Sequence, residues 1–319
     1  MMKNKKILLI GSGNMANEYL KVLKSLNKNV VVVGRGESNI LKLKETFPEF
    51  EYFHGGIDNY ISNHENIPET AINTVNIDFL RSTSISLLLA GVKNLLIEKP
   101  GDITVQGLKS IQELSNEKAA KVTIAYNRRF YSSVMGLIDL VKEDGGVSSS
   151  HFEFTEWVNT IGPETHSKDA LSKWVLSNSS HVIDTVFHII NKPSELYAKV
   201  LGENKIDWHS NGSIFIGHGI SENNIPFTYH SNWDGPGRWS IEVTTCKRRF
   251  YLKPMEKLFV QNLNSVQINE VKIDDELDVK FKPGLYLQTK SFIDRDFKHL
   301  QTIEDQVESM KYYSLIAGY

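Results

Sequence analysis

The sequence has little of what would indicate a secreted, membrane-bound or nucleic-acid-binding protein. It contains one cysteine, Cys246, in 319 residues, which excludes an internal disulfide framework and any zinc site built from several cysteines. The net charge of -2 offers no general attraction to nucleic acid or to an anionic membrane. The apolar run at residues 7–10 is too short for a signal-peptide core, and no run approaches the roughly 20 apolar residues of a transmembrane helix. These absences predict a reduced, soluble, cytoplasmic protein with a small-molecule substrate and no nucleic-acid or membrane partner.

The first third of the chain alternates short apolar runs with segments of helical periodicity. Residues 6–10 and 30–33 are continuous apolar runs, typical of strands buried on both faces of a parallel sheet. The pattern continues with strands predicted at 50–54, 72–77, 94–97 and 121–126, and helices at 14–26, 39–46, 82–90 and 104–116. This alternation predicts an α/β Rossmann dinucleotide-binding domain over residues 1–122.

The composition changes after about residue 145. Segments rich in β-branched and aromatic residues then follow one another, with one long helix predicted at 168–190 and two closing helices at 285–299 and 302–316. Strands in succession predict a mostly antiparallel open sheet. We therefore expect an α+β domain over residues 123–319 that binds substrate and mediates oligomerisation. The last helix, 302–316, is a candidate to pack back on the first domain.

A glycine turn, GxGxxA, separates the first predicted strand from the first predicted helix. Gly11 permits a tight turn, Gly13 lets the backbone approach a pyrophosphate, and Ala16 keeps helix and strand close. The helix start would then present free N–H groups to the phosphates. An ordinary βα turn is the alternative, but the flanking strand and helix favour a dinucleotide. The predicted cofactor-binding residues of this turn are Gly11, Ser12, Gly13, Asn14 and Met15.

The end of the second predicted strand carries information about the cofactor. NAD sites usually place an acidic residue there to accept from the ribose 2′-hydroxyl. This chain has Arg35 instead, and its guanidinium group can donate two hydrogen bonds to a 2′-phosphate. Ser38 could add a further hydrogen bond. The alternative is a solvated Arg35 with Glu37 as a displaced ribose ligand. NADP(H) is therefore favoured, and NAD(H) stays possible.

Three further motifs combine with the glycine turn: Glu98-Lys99-Pro100, the stretch AYNRRF at 125–130, and SxxxHxxD at 177–184. Together they resemble the glucose–fructose oxidoreductase, inositol dehydrogenase and related (Gfo/Idh/MocA) family of nicotinamide-dependent sugar oxidoreductases, over essentially the whole chain. The segments Pro236-Gly237-Arg238-Trp239 and 252–258 are similar to those of a subgroup found in bacterial surface-polysaccharide pathways.

The resemblance implies a role for each residue of the first motif. Lys99 would lie beside the reactive nicotinamide carbon and hydrogen-bond the reacting oxygen, where an ammonium stabilises developing negative charge. Glu98 would steady the turn and the cofactor. Pro100 often follows a cis peptide bond in this family.

The resemblance also assigns the motif at 177–184. His181 matches the family histidine and is the candidate general base, since an unperturbed imidazole titrates near working pH. Asp184 matches the last position and would orient the imidazole or bind a sugar hydroxyl. Ser177 stands where the family has aspartate, and it can bind a sugar but cannot accept a proton at neutral pH. Spacings of four and three place the three residues on one helical face.

Other readings of this segment stay open. The run 177–180 could simply cap a helix that begins near 181. His181, Asp184 and His188 share a face as metal ligands might, but no further ligand cluster accompanies them, so no metal is predicted. The further predicted substrate-binding residues are Asn127, Trp157 and Trp174. The family's TPxxxH stretch is missing at 75–80, so the nicotinamide-side contacts of that stretch are not expected to carry over.

The predicted function is hydride transfer between a nicotinamide and a hydroxyl or ketone carbon of a sugar, sugar nucleotide or polyol, by a homodimer or homotetramer. One alternative is a cofactor-binding regulator or scaffold without turnover, favoured by Ser177 and the missing TPxxxH stretch. A Rossmann methyltransferase shares the glycine turn, but it predicts neither the EKP motif nor a large carboxyl-terminal sheet domain.

Overall fold

A computed structural model describes residues 6–319, and the basic start of the chain, residues 1–5, lies outside the described residues. The strands, in chain order, are β1 Ile7–Ile10, β2 Val30–Val33, β3 Glu51–Phe53, β4 Thr70–Asn73, β5 Asn94–Glu98, β6 Lys121–Ala125, β7 Ser149–Glu153, β8 Pro193–Leu201, β9 Ile214–Ser221, β10 Pro226–Asn232, β11 Ser240–Thr244, β12 Arg248–Leu252, β13 Phe259–Asn262, β14 Ile268–Glu270 and β15 Gln301–Thr302. The α-helices are α1 Asn14–Ser25, α2 Glu37–Thr46, α3 Gly56–Asn63, α4 Leu80–Leu89, α5 Val105–Glu117, α6 Ser132–Glu143, α7 Lys168–Ser172, α8 Ser180–Ile190, α9 Glu276–Lys280, α10 Leu285–Asp294 and α11 Ile303–Ala317.

The chain divides into two compact units. The first contains the residues up to Ala125 together with Leu285–Val307, and the second contains Tyr126–Gly284 and Glu308–Tyr319. The chain thus returns to the first unit after completing the sheet of the second, and α11 begins in the first unit and ends in the second.

The first unit is built on a seven-stranded sheet in the order β3-β2-β1-β4-β5-β6-β15. The first six of these strands are parallel, and β15 runs antiparallel to β6. Strands β1 and β2 are buried along their whole length, as their continuous apolar sequences predict. Ile10 pairs with Val33 on one side and Asn73 on the other, so three strands end level at one edge of the sheet.

The second unit is built on an eight-stranded sheet in the order β14-β13-β12-β11-β7-β10-β9-β8. Strands β7 and β10 are parallel and the other neighbours are antiparallel. One sheet face carries buried aromatic residues, which include Phe152, Phe215, Phe227 and Tyr229. Helix α8 packs on this sheet against β7 and β11. The predicted fold class, a Rossmann domain followed by an α+β domain with a mostly antiparallel sheet, is confirmed.

Several element predictions were wrong in detail. The strand predicted at 72–77 ends at Asn73, where the Asn73 side-chain amide donates to Leu80 O and to Ser84 Oγ, both at 3.0 Å, and the chain turns away. The helix predicted at 168–190 consists of α7, a π-helical turn over Val175–Ser179, and α8. Helices α3 and α6 were not predicted, although Val134, Leu137 and Val141 are buried at helical spacing in α6.

Candidate active site

The glycine turn after β1 needs glycine at its first position for a reason internal to the protein. Gly11 has φ +117°, which L side chains rarely adopt, and a Cβ there would lie 2.5 Å from Thr74 Oγ1 and 2.9 Å from the Thr74 carbonyl oxygen. Thr74 is held in place because its backbone N–H and its hydroxyl both donate to Ile10 O, at 2.7 and 2.8 Å. The close approach of β1 and the end of β4 therefore excludes a side chain at residue 11.

Gly13 differs, because nothing within the protein requires it. It precedes α1 in an extended conformation, and a Cβ there would meet no atom within 4 Å. No side chain caps α1, and its first turn carries no acidic residue, so the helix start offers N–H groups and the positive end of its dipole. The open space above Gly13 fits an anionic ligand that approaches the backbone closely, as a pyrophosphate does.

A cavity of about 600 Å³ lies over this turn, within the first unit. Its lining residues come from the ends of the first four strands and the starts of the helices that follow them: Ile10, Gly11, Ser12, Gly13, Val33, Gly34, Arg35, Gly36, Asn39, Gly55, Gly56, Ile57, Asp58, Thr74, Val75, Asn76, Phe79, Ser82, Thr83 and Ser86. The starts of α2 and α3, like that of α1, have no side-chain cap. The cavity, the open space above Gly13 and the uncapped helix starts together fit a dinucleotide.

Arg35 occupies a defined position in the cavity wall. Its guanidinium carbon lies 4.0 Å from the centroid of the Phe79 ring, an exposed aromatic side chain of the segment between β4 and α4. This contact holds the planar guanidinium close to the end of β2.

The sequence-based site residues in this unit are only partly brought together. Gly11, Ser12, Gly13 and Arg35 line the cavity. The other predicted cofactor residues are not among its lining residues: Asn14, Met15, Ser38, Glu98 and Lys99. Sequence reasoning missed Asn39, Asp58 and Ser86, of which Ser86 Oγ donates to Asp58 Oδ1 at 2.8 Å. Residues 75–80, from which no nicotinamide-side contacts are expected, contribute Val75, Asn76 and Phe79 to the cavity lining. The signal that could have identified the α3 side is the pair Gly55-Gly56 directly after β3.

The EKP motif lies at the end of β5, and the Lys99–Pro100 peptide bond is cis. Glu98 and Lys99 are half-buried. The Tyr19 hydroxyl donates to Glu98 Oε1 at 2.9 Å and accepts from Gln288 Nε2 at 3.0 Å. Burial raises the pKa of Tyr19 well above its usual value, and the Glu98 carboxylate adds to the effect, so the hydroxyl stays protonated and donates. The interior of the first unit thus holds the carboxylate beside Lys99.

In the second unit, His181 lies in the first turn of α8 with 5% of its surface exposed. Its ring contacts the Tyr126 ring edge-on, with centroids 5.6 Å apart, and lies 6.1 Å from the Trp239 ring. Ser177 belongs to the π-helical turn before α8, so the shared α-helical face predicted for Ser177, His181 and Asp184 applies only to the last two.

Asp184 is engaged inside the protein. It is fully buried, and both of its carboxylate oxygens accept from Arg129, from Nε and Nη2 at 2.7 Å each, while the Tyr313 hydroxyl donates to Oδ1 at 3.2 Å. Burial alone would lower the pKa of Arg129, but the Asp184 carboxylate raises it above its ordinary value. This ion pair gives no support to the interpretation of Asp184 as a substrate ligand.

The remaining predicted substrate residues have different surroundings. Asn127 is 5% exposed, and its side-chain amide donates to Pro283 O at 2.8 Å. Trp174 is 6% exposed and packs edge-on against His166 and Trp208. Only Trp157 presents a large surface, with 56% exposed. Asn127 and Trp174 are therefore interior residues, and Trp157 is open to a ligand.

Arg238, Arg128 and Glu156 were not among the predicted site residues, and Glu156 is bonded to the segment directly before α8. Arg238 Nη1 donates to Glu156 Oε2 at 3.2 Å, and Glu156 Oε1 accepts from Ser179 Oγ at 2.6 Å and from Asn178 Nδ2 at 3.0 Å. Burial raises the pKa of Glu156, and these hydrogen bonds and the Arg238 charge oppose that effect. The Arg128 guanidinium lies over the Trp239 ring, 4.4 Å from its centroid.

Among residues 6–319, no group of three or more His, Cys, Asp or Glu side chains has the proximity of a metal site. Across the same residues, every helix is too short or too polar to cross a membrane.

No protein-family model matches the sequence, and no curated protein matches it. Solved structures match the fold. A Gfo/Idh/MocA family oxidoreductase from Vibrio cholerae aligns at 14% identity and a TM-score of 0.77, over 98% of this chain and 97% of the other. The dehydrogenase MviM from Clostridium difficile aligns at 16% identity and a TM-score of 0.78, over 99% of both chains. An Agrobacterium radiobacter oxidoreductase in complex with NAD+, L-tartaric acid and magnesium aligns at 12% identity and a TM-score of 0.78, over 98% of this chain and 95% of the other. The resemblance to Gfo/Idh/MocA proteins is thus confirmed at the level of the fold.

Proposed function

We propose that this chain is an NADP(H)-dependent oxidoreductase that interconverts a hydroxyl group and a ketone on a sugar, a sugar nucleotide or a polyol. The observation that carries the proposal is the cavity of about 600 Å³ over the glycine turn, with open space above Gly13 and with Arg35 in its wall. The solved structures of the same fold are oxidoreductases and dehydrogenases, which supports this class of reaction. A role in bacterial surface-polysaccharide synthesis, in keeping with the segment at 236–239, belongs to the same proposal.

The cofactor assignment follows from the cavity wall. The backbone N–H groups at Gly13 and the start of α1 would hold the pyrophosphate, and Arg35 would hold the 2′-phosphate in two charge-assisted hydrogen bonds. Asp58, which also lines the cavity, is the feature that favours NAD(H), because a carboxylate accepts from a free 2′-hydroxyl. We favour NADP(H), since Arg35 lies two residues after the end of β2 and lines the cavity.

Two side chains are assigned to the reaction, Lys99 and His181. A bound nicotinamide supplies the hydride chemistry. Lys99, beside the anchored Glu98, would donate a hydrogen bond to the reacting oxygen and stabilise its developing negative charge. His181 would take the hydroxyl proton in the oxidation direction and return it in reduction. Ser177 and Trp157 would bind the sugar, whereas Asp184, Asn127 and Trp174 would support the site from the interior.

The cofactor assignment is tested by binding NADPH and NADH to the purified protein, with calorimetry as the measurement. We expect NADPH to bind at least about tenfold more tightly, about 1.4 kcal/mol. Arg35→Gln should remove most of this preference, while Arg81→Gln, an exposed arginine of the same unit, should retain it. Tighter NADH binding would contradict the role assigned to Arg35. Failure of both cofactors to bind would contradict the proposed oxidoreductase function itself.

The catalytic assignment is tested by turnover of keto-sugars with the cofactor that binds. Lys99→Ala and His181→Ala should each reduce kcat by about 10²- to 10⁴-fold, the usual contribution of a positioned acid or base. Lys109→Ala and His218→Ala, at exposed positions of the same units, serve as matched controls. Near-normal turnover in both active-site variants would refute these roles. Cofactor binding without turnover on any sugar, sugar nucleotide or polyol would favour the regulator or scaffold.

The proposal includes a homodimer or homotetramer. Strands β8 and β9 expose large apolar side chains, with Tyr197 60%, Leu201 42% and Ile220 36% exposed, and a second copy of the chain would bury them. Sedimentation of the purified protein tests this, and Tyr197→Glu should favour the monomer. A monomer at all concentrations would contradict the assembly.

A further inference from the structure

Two arginines of the second unit lie against the same indole ring. The guanidinium carbon of Arg128 lies 4.4 Å from the Trp239 ring centroid, and that of Arg238 lies 4.7 Å from it. Arg238 also lies 4.7 Å from the centroid of the Trp157 ring. Cation–π contacts thus hold both guanidinium groups close together despite their mutual repulsion.

Only one of these two arginines forms an ion pair. Glu156 accepts a single hydrogen bond from Arg238, and its other carboxylate oxygen is occupied by Ser179 and Asn178. Within residues 6–319, no carboxylate lies within ion-pair distance of Arg128, whose neighbours are the rings of Tyr131 and Trp239. Burial lowers the pKa of Arg128 below its ordinary value, and the charges of Glu256 and Glu156 oppose this effect. The cluster therefore keeps guanidinium N–H donors that no carboxylate occupies.

The donors of this cluster are available and held in place. An arginine has five N–H donors, and Arg238 commits one of them to Glu156 while 42% of its side-chain surface stays exposed. Trp157 is more than half exposed, and its indole N–H donates to Gly237 O at 3.0 Å, which fixes the exposed ring next to Arg238. An exposed aromatic ring beside a guanidinium group with unused N–H donors suits a sugar ring that bears an anionic group.

The cluster is adjacent to the candidate base. The Trp239 ring lies 6.1 Å from the His181 ring, and Glu156 is bonded to Ser179 and Asn178, directly before α8. An anion bound beside Trp239 would therefore lie near the His181 ring.

We propose that Arg128 and Arg238 recognise an oxyanion of the substrate, a carboxylate or a phosphate, while its sugar ring lies on Trp157. The substrate class is then an acidic sugar rather than a neutral sugar or polyol. This inference rests on the proposed function, and it deepens that function by naming the group that the second unit selects.

The test compares three sugars that differ in one group: D-glucose, D-glucuronate and D-glucose 6-phosphate. Their binding to the full chain is measured by calorimetry with saturating NADPH. We expect glucuronate, glucose 6-phosphate or both to bind at least about tenfold more tightly than glucose, about 1.4 kcal/mol. The preferred anion identifies the group as a carboxylate or a phosphate, and either preference supports the proposal.

Variants locate the binding site. Arg238→Gln should reduce the affinity for the preferred anion by at least about tenfold and leave the affinity for glucose within about threefold. Arg249→Gln is the matched control, because Arg249 also pairs with a glutamate, Glu242, and lies over an aromatic ring, Tyr251, elsewhere in the second unit. Circular dichroism verifies folding. Arg238→Lys, which keeps the charge, should retain more affinity than Arg238→Gln.

The outcomes separate this inference from the proposed function. If NADPH binds but glucose and the two anions bind equally, or if neither anion binds measurably, the anion site is refuted while the dinucleotide site stands. An anion preference that Arg249→Gln abolishes and Arg238→Gln preserves also refutes it. If NADPH itself does not bind, the proposed function fails, whatever the anions do.

Discussion

Arg129 and Asp184 form a buried ion pair in which two nitrogens of one side chain each donate to a different oxygen of the other at 2.7 Å. The pair joins the segment after β6 to α8, one turn beyond His181. Removing one partner would leave a buried charge without its counter-charge, which is costly in a low-dielectric interior.

Asp184→Asn should therefore lower the free energy of unfolding by about 3–5 kcal/mol. Urea unfolding followed by tryptophan fluorescence measures the change. Asp294→Asn is the control, because Asp294 forms an exposed pair with Lys290, and exposed pairs contribute little. If Asp184→Asn kept full stability and lost only substrate affinity, Asp184 would be a substrate ligand as the sequence suggested.

The two glycines of the βα turn should respond differently to alanine. Gly11→Ala imposes a positive φ on a side chain and a clash with the Thr74 backbone, so it should destabilise the protein by about 1–3 kcal/mol. Gly13→Ala has free space and should change stability by less than about 0.5 kcal/mol. It should nevertheless weaken NADPH binding by at least about tenfold, because its methyl group occupies the space of the pyrophosphate. Unchanged NADPH affinity in Gly13→Ala would contradict the proposed binding mode.

Tyr19→Phe tests how the EKP motif is held. The substitution removes the hydroxyl that donates to Glu98 and accepts from Gln288, and it should cost about 1–3 kcal/mol of stability. If Glu98 steadies the turn that presents Lys99, kcat should fall as well, with the affinity for NADPH little changed. Tyr60→Phe, a second buried tyrosine of the same unit, serves as the control. A loss of stability with normal kcat would restrict Tyr19 to a structural role.

His209 predicts a dependence of stability on pH. Its Nδ1 lies 2.9 Å from Gly212 O, which can only accept, so Nδ1 carries the proton and Nε2 accepts from the Tyr319 hydroxyl at 2.7 Å. Burial lowers the pKa of His209 below its ordinary value. The unfolded chain therefore binds a proton at higher pH than the folded protein does, so the contribution of His209 is complete above about pH 6.5 and is lost as pH falls below that value.

The melting temperature should accordingly fall between pH 7.5 and pH 5, and it should fall less steeply in His209→Gln. Differential scanning calorimetry at several pH values measures both slopes. If the melting temperature falls equally steeply with pH in the original protein and in His209→Gln, groups other than His209 dominate the acid sensitivity. Tyr319→Phe should lower stability at neutral pH, because the Tyr319 hydroxyl also accepts from the Val175 N–H at 3.2 Å.

The local pattern of the sequence was sufficient for the glycine turn, the strands around it and the class of each unit. Continuous apolar runs become fully buried strands, and the glycine turn lies between the first strand and the first helix. The cavity wall contributed by Gly55, Gly56 and Asp58 was not predicted, because α3 was missed. Its eight residues are too few for a clear helical period.

The sequence by itself determined that a βαβ unit carries a dinucleotide turn with Arg35 at its edge and an EKP motif further along, since these depend on neighbours in the chain. Tertiary structure alone decided which polar side chains are available to a ligand. Asp184 and Asn127 are predicted ligand residues in the sequence. In the structure, Asp184 accepts hydrogen bonds from Arg129, and Asn127 donates one to Pro283 O. Arg238, more than a hundred residues from Arg128, shares the Trp239 ring with it. Burial and pairing join residues far apart in the chain, so no local pattern records them.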